Sequence, residues 1–168
     1  GQMKGQFSYG ITLFAEDEFY KNILFEDNYG LEISFEKSFS KSISFEIKPK
    51  FGTEIIRVDA PYQARNTGIA LGIELKPSDE FKLNFRMDQS KSIRFENDEV
   101  VYSDMIARAR FEYQAATFLN FRLVAQYHRY YDTFDIQPLI SYQPGPFSIF
   151  YFGTSRSYDT SFPGWEES

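Results

Sequence analysis

The residues of this chain best suited to chemistry are five cations set among alternating polar and apolar residues. Lys82, Arg86, Arg108, Arg110 and Arg122 all fall on the polar phase of that alternation. A guanidinium offers a planar fork of donors that fits carboxylate and phosphate. Gathered on one surface, the five would form a basic patch that attracts anionic or heavily hydroxylated solutes. Glu32, Glu46, Glu74, Glu112 and Asp135 share the same phase. Pairing with Glu46, Glu74, Glu112 and Asp135 across strands would instead neutralise the arginines.

Other constellations are weaker. His128 stands beside Gln126 and Tyr130 on the polar phase, and a lone His reads as a hydrogen-bonded wall residue rather than a base. The run "AEDE", Ala15 to Glu18, sets three carboxylates in a link. They could hold a hard cation among lipid headgroups, or form a solvated acidic loop. Glu166 and Glu167 beside Trp165 resemble a glycosidase pair in composition only, because adjacent carboxylates cannot lie across a scissile bond. No GxSxG, glycine-rich phosphate loop or HExxH is present. With Cys 0 and His 1 there is no disulfide framework, thiolate site or imidazole cluster. The reading is a non-enzyme with no catalytic residue, metal or cofactor.

Positioning these side chains falls to strands. In "FKLNFRMD", Phe81, Leu83, Phe85 and Met87 alternate with Lys82, Asn84, Arg86 and Asp88, which is half apolar wall and half charged wall. The pattern recurs at Phe7 to Leu13, Tyr29 to Phe35, Ile43 to Phe51, Ile69 to Leu75, Met105 to Tyr113, Leu119 to Tyr127 and Phe134 to Tyr142. "SIFYFGTSRSY" makes a ninth, blurred row. No segment has a competing helical period. Short links ("KSFSKS", "KPSDE", "QAATF", "QPGPF") alternate with long ones ("AEDEFYKNILFEDN", "GTEIIRVDAPYQARN", "QSKSIRFENDEVVYS"). That predicts antiparallel neighbours with the tight turns at one end. Pro49 and Pro138 fall inside rows, where a residue without an N–H predicts a bulge or a strand end.

At 168 residues the chain suits a single domain, 1–168, with no nucleic-acid partner, since its net charge is −6 and its Lys and Arg are dispersed. The hydrophobic fraction of 42% and mean hydropathy of −0.43 fit either a soluble protein or an outer-membrane barrel, in which only alternate residues meet lipid. No apolar run is long enough for a transmembrane helix. The opening "GQMKGQFSYG" lacks the apolar core of a signal peptide and reads as a cut or processed start.

The fold expected is all-β: an antiparallel up-and-down meander of about 8–10 strands forming a transmembrane β-barrel, or a fragment of a larger one. Rows of about nine residues suit a tilted strand crossing hydrocarbon. A soluble lipocalin-like barrel binding an apolar ligand is the alternative, but an eight-stranded interior would be overfilled by 19% aromatic residues and the aliphatics beside them. In the membrane orientation the apolar rows face lipid and the charged phase lines the lumen. Tyr29, Tyr62, Tyr102, Tyr113, Tyr127 and Tyr130 would then serve as interface aromatics at headgroup level. Of the exposed tyrosines, Tyr62, Tyr102 and Tyr130, with Tyr131, could alternatively stack on sugars.

The segment Phe111 to Asp159, through "LNFRLVAQYHRY" and "PLISYQPGPFSIFYFGTSRSY", resembles the C-terminal β-barrel region of large Bacteroidota-type outer-membrane proteins. Those proteins pair a family 9 carbohydrate-binding-like domain with a barrel of unassigned function. The resemblance implies an outer-membrane location and a link to glycans; the partners expected of the barrel are the lipid bilayer and other outer-membrane subunits. The chain departs from that pattern in having no carbohydrate-binding domain before its strands. It also ends in "TSFPGWEES", where relatives would add a strand ending in an aromatic residue. The expected role is a porin-like solute channel or transport component, or a membrane anchor for accessory domains.

Overall fold

A computed structural model describes residues 6–160, which contain strands and turns and no helix. Ten strands follow in order: β1 (Phe7–Tyr20), β2 (Ile23–Ser40), β3 (Ile43–Ile56), β4 (Tyr62–Leu75), β5 (Phe81–Arg94), β6 (Val100–Ala116), β7 (Leu119–His128), β8 (Thr133–Gly145), β9 (Ser148–Gly153) and β10 (Arg156–Asp159). Each of β1 to β8 pairs antiparallel with its neighbours in sequence, and β9 and β10 both pair with β8. Leu139 faces Gly153 and Ile136 faces Arg156, so β9 and β10 continue one register and act as a single ninth strand. The sheet is not closed, and its two edges are β1 and the β9–β10 strand.

The apolar phases of all strands fall into line. One cross-strand row runs Tyr9, Phe35, Ile47, Leu71, Met87, Ala107, Tyr127, Phe134 and Tyr158, apolar or aromatic throughout. The adjacent row, Ser8, Glu36, Glu46, Gly72, Arg86, Arg108, Gln126, Asp135 and Ser157, holds no large apolar residue. A slip of one residue in any ladder would break both rows at once. The register shifts lie near strand ends, at Glu16/Glu18, Ser38/Ser40, Ser92/Ile93, Gln114/Ala116 and Tyr142/Gly145.

The two faces differ in enclosure. Tyr9 and Leu13 are 74% and 73% exposed, and even in mid-sheet Ile73, Phe85 and Leu123 remain exposed. On the polar face, by contrast, Ser92, Asp104, Ala70 and Val124 are buried. Four hollows of about 260 to 570 Å³ open on that same face. The sheet therefore curves with its polar face on the concave side, and among the described residues no second layer covers the apolar face.

Three expectations need correction. The long segment from Ala15 to Asn28 is mostly strand: β1 and β2 run on to a two-residue turn at Lys21 and Asn22, whose φ values of 48° and 64° suit a tight hairpin turn. The segments 52–66 and 89–103 likewise shrink to links at 57–61 and 95–99, so link length no longer separates the two ends. Cross-strand pairing satisfies the backbone of these polar segments better than a loose loop would. Neither proline sits at a bulge or a strand end. Pro49 keeps its register with Ile69, and the β2–β3 ladder keeps one register on either side of it while skipping the Pro49 position. Pro138 faces Leu123 in full register and accepts a bond from the Thr154 N–H at 3.2 Å. Its missing N–H interrupts the ninth strand between β9 and β10 without displacing it.

At Gly52 the backbone of β2 comes close. A Cβ there would lie 2.3 Å from the Tyr29 carbonyl oxygen and 2.9 Å from the Gly30 Cα. Gly52→Ala should cost about 1–3 kcal/mol, read as a lower denaturation midpoint, because the atoms it meets are backbone and cannot swing aside.

Candidate functional site

The five cations come together on the concave face of β5, β6 and β7. Arg86 faces Arg108, Lys82 faces Glu112, Asn84 faces Arg110, and Glu112 in turn faces Arg122. Like charges directly opposite one another repel, so the Arg86–Arg108 pair requires counter-charges nearby. Arg86 finds one along its own strand, with Nε donating to Asp88 Oδ2 at 2.8 Å. Arg110 likewise donates to Glu112 two residues on. Lys82 reaches across to Glu74 at 2.8 Å.

The acidic set is largely engaged as well. Glu32 pairs with Lys50 at 3.0 Å and Glu46 with Lys48 at 2.5 Å. Asp135 forms no ion pair among the described residues. Of the proposed cross-lumen partners, Glu74 and Glu112 do meet cations of the patch, while Glu46 pairs with Lys48 and Asp135 with none. Arg108 and Arg122 make no hydrogen bond or ion pair to any described residue. Both line the largest of the four hollows, about 570 Å³, together with Arg110, Val124, Gln137, Leu139, Tyr151, Gly153, Thr154 and Ser155.

A second polar cluster lies beyond the apolar rows, toward the links at 95–99 and 129–132. Asp104 is buried and takes four contacts: His128 Nε2 at 2.6 Å, the Met105 N–H at 2.7 Å, the Tyr130 N–H at 3.1 Å and the Tyr102 hydroxyl at 3.2 Å. The bonds from His128 and from the Tyr130 and Met105 amides satisfy this carboxyl where burial has taken it out of water. The Tyr131 ring packs edge-on against His128, 4.7 Å between centroids. His128 is thus a wall residue held by Asp104, a partner that sequence spacing did not pick out.

Two of the expected interface aromatics are placed differently. Tyr62 lies on the concave side, with the Arg94 guanidinium 4.3 Å above its ring and donating to its hydroxyl at 2.8 Å. Tyr102 turns to Asp104 and stands 5.8 Å from Tyr130. In both, the hydroxyl has a better partner inside than outside. Tyr29, Tyr113 and Tyr127 do lie on the apolar face, near the ends of its rows. The "AEDE" carboxylates lie on β1 rather than in a loop: Asp17 accepts the Asp27 N–H at 3.0 Å and Glu18 pairs with Arg57 at 2.7 Å. Trp165, Glu166 and Glu167 lie outside the described residues.

Compared with protein-family models, curated proteins and solved structures, the chain matches none.

Asp104→Ala would leave its buried donors unmet and should cost about 1–3 kcal/mol. Denaturation midpoints of the two proteins read this loss, and equal midpoints would show that the Asp104 contacts do not stabilise the fold.

Proposed function

We propose that this chain forms part of the wall of a bacterial outer-membrane β-barrel with a polar, charged lumen, serving as a solute channel or transport component or as the anchor of accessory domains. One observation carries the reading: an uncovered apolar face on the convex side of a single sheet, backed by charge on the concave side. In water such a surface is an association hazard, whereas lipid covers it without a second protein layer. Strands of 10–18 residues from β1 to β8 also exceed the ~5–6 usual in globular proteins and suffice for a tilted crossing.

Strand direction supports a larger barrel. β1 and the ninth strand run the same way, because each neighbour in a meander reverses direction. Joining these edges directly would make a parallel pair, so antiparallel closure takes an odd number of further strands. The resemblance of Phe111 to Asp159 to Bacteroidota-type barrel regions points the same way, and the bilayer and other outer-membrane subunits are the partners expected of the barrel. The lipocalin-like alternative needs the apolar face on the concave side.

The chain should remain with membranes under alkaline extraction and need detergent to dissolve. In a detergent folding assay Leu83→Arg should cost about 2–4 kcal/mol, and Asn84→Arg on the opposite face much less. Equal losses at the two positions would count against a two-sided wall.

A further inference from the structure

The geometry points to the hollow between β6 and the ninth strand as a binding site for a small hydroxylated polycarboxylate anion. It deepens the reading above in one respect, since it takes the concave face to be filled with water and solute.

The site is built from three neighbouring cross-strand rows. The middle one holds Arg110, Val124 and Gln137, with Asn84 beyond Arg110. Val124 is short and buried, so it forms a floor rather than a wall. Arg108 rises on one side of this row and Arg122 on the other, and Gly153 on the ninth strand, where a Cβ would meet the Leu139 Cδ1 at 2.8 Å, closes the far side. The space, about 570 Å³, falls within the ~300–1,000 Å³ usual for small-molecule sites.

Charge and donors define the ligand. Arg86, Arg110 and Lys82 already have carboxylate partners, but among the described residues Arg108 and Arg122 have none and no acidic residue lines the hollow. Two free guanidinium groups on opposite sides favour a ligand with more than one carboxylate, each fork taking two oxygens. Gln137, Tyr151, Thr154 and Ser155 complete the rim with an amide and three hydroxyls, which suit a hydroxyl on the ligand rather than an apolar body.

Citrate and tricarballylate, which differ by one hydroxyl, are the probes, with glycerol as the uncharged control. Calorimetric titration of the purified chain at low salt should show citrate binding, tricarballylate binding several-fold more weakly, and glycerol not at all. Arg108→Gln combined with Arg122→Gln should weaken citrate by about tenfold or more. Arg65→Gln, which removes a cation paired with Asp98 outside the hollow, should leave it unchanged. If the double variant loses its sheet by circular dichroism, Arg122→Gln alone carries the test, with a smaller but measurable loss expected. Absence of citrate binding, equal affinity for the two acids, or unaltered affinity in the folded arginine variants would overturn the proposal. The measurement needs no membrane: a chain that dissolves without detergent fails the membrane reading, and the titration then runs in plain buffer with the same outcomes.

Discussion

The whole structure depends on register. Side chains alternate across a strand with a period of two, so each ladder must hold its pairing to the residue for nine strands to share one apolar face. The row from Tyr9 to Tyr158 and the polar row beside it persist because the shifts occur near strand ends, where the polar hairpin tips absorb them. The basic patch follows from this alignment: it places Lys82, Arg86, Arg108, Arg110 and Arg122 on one surface although Lys82 and Arg122 are forty positions apart.

Two prolines show how firmly the alignment is held. Each removes a donor, yet neither moves its strand, because the pairing on the other side of the same strand continues unbroken. A single missing bond costs less than displacing a whole apolar row would. The glycines at Gly30 and Gly52 serve the same end differently: Gly52 lets β3 come close to β2, and the Phe14 ring covers Gly30 from the facing position on β1.

Much of the fold was legible in the sequence, because alternation is a local signal that survives without knowledge of the partner strand. Eight rows and the blurred ninth stand where their phases put them, and the blur around "GTSR" corresponds to the break opposite Pro138. Hairpin length was not legible. Charged stretches such as Ala15 to Asn28 look like loops by composition, and only cross-strand pairing makes them strand. The basic patch was legible as a surface but not as a set of pairs. Arg86 and Arg110 take acids two residues along their own strands, a choice set by rotamers and one that leaves Arg108 and Arg122 without partners among the described residues. His128 was read as a wall residue, but the partner that holds it, Asp104, lies twenty-four positions away and is reached only through the β6–β7 ladder.

The nearest-neighbour topology also bears on how such a sheet can change over evolutionary time. Every ladder joins segments adjacent in sequence, so a hairpin such as β5–β6 is a self-contained cassette. Duplicating or deleting a whole cassette preserves the direction of every later strand and leaves both faces intact, because strands are added or lost in twos. Gain or loss of a single strand would reverse everything downstream and exchange the rims at which its turns lie. Size in this architecture is therefore free to vary in steps of two strands, with the charges of the concave face carried along inside each cassette.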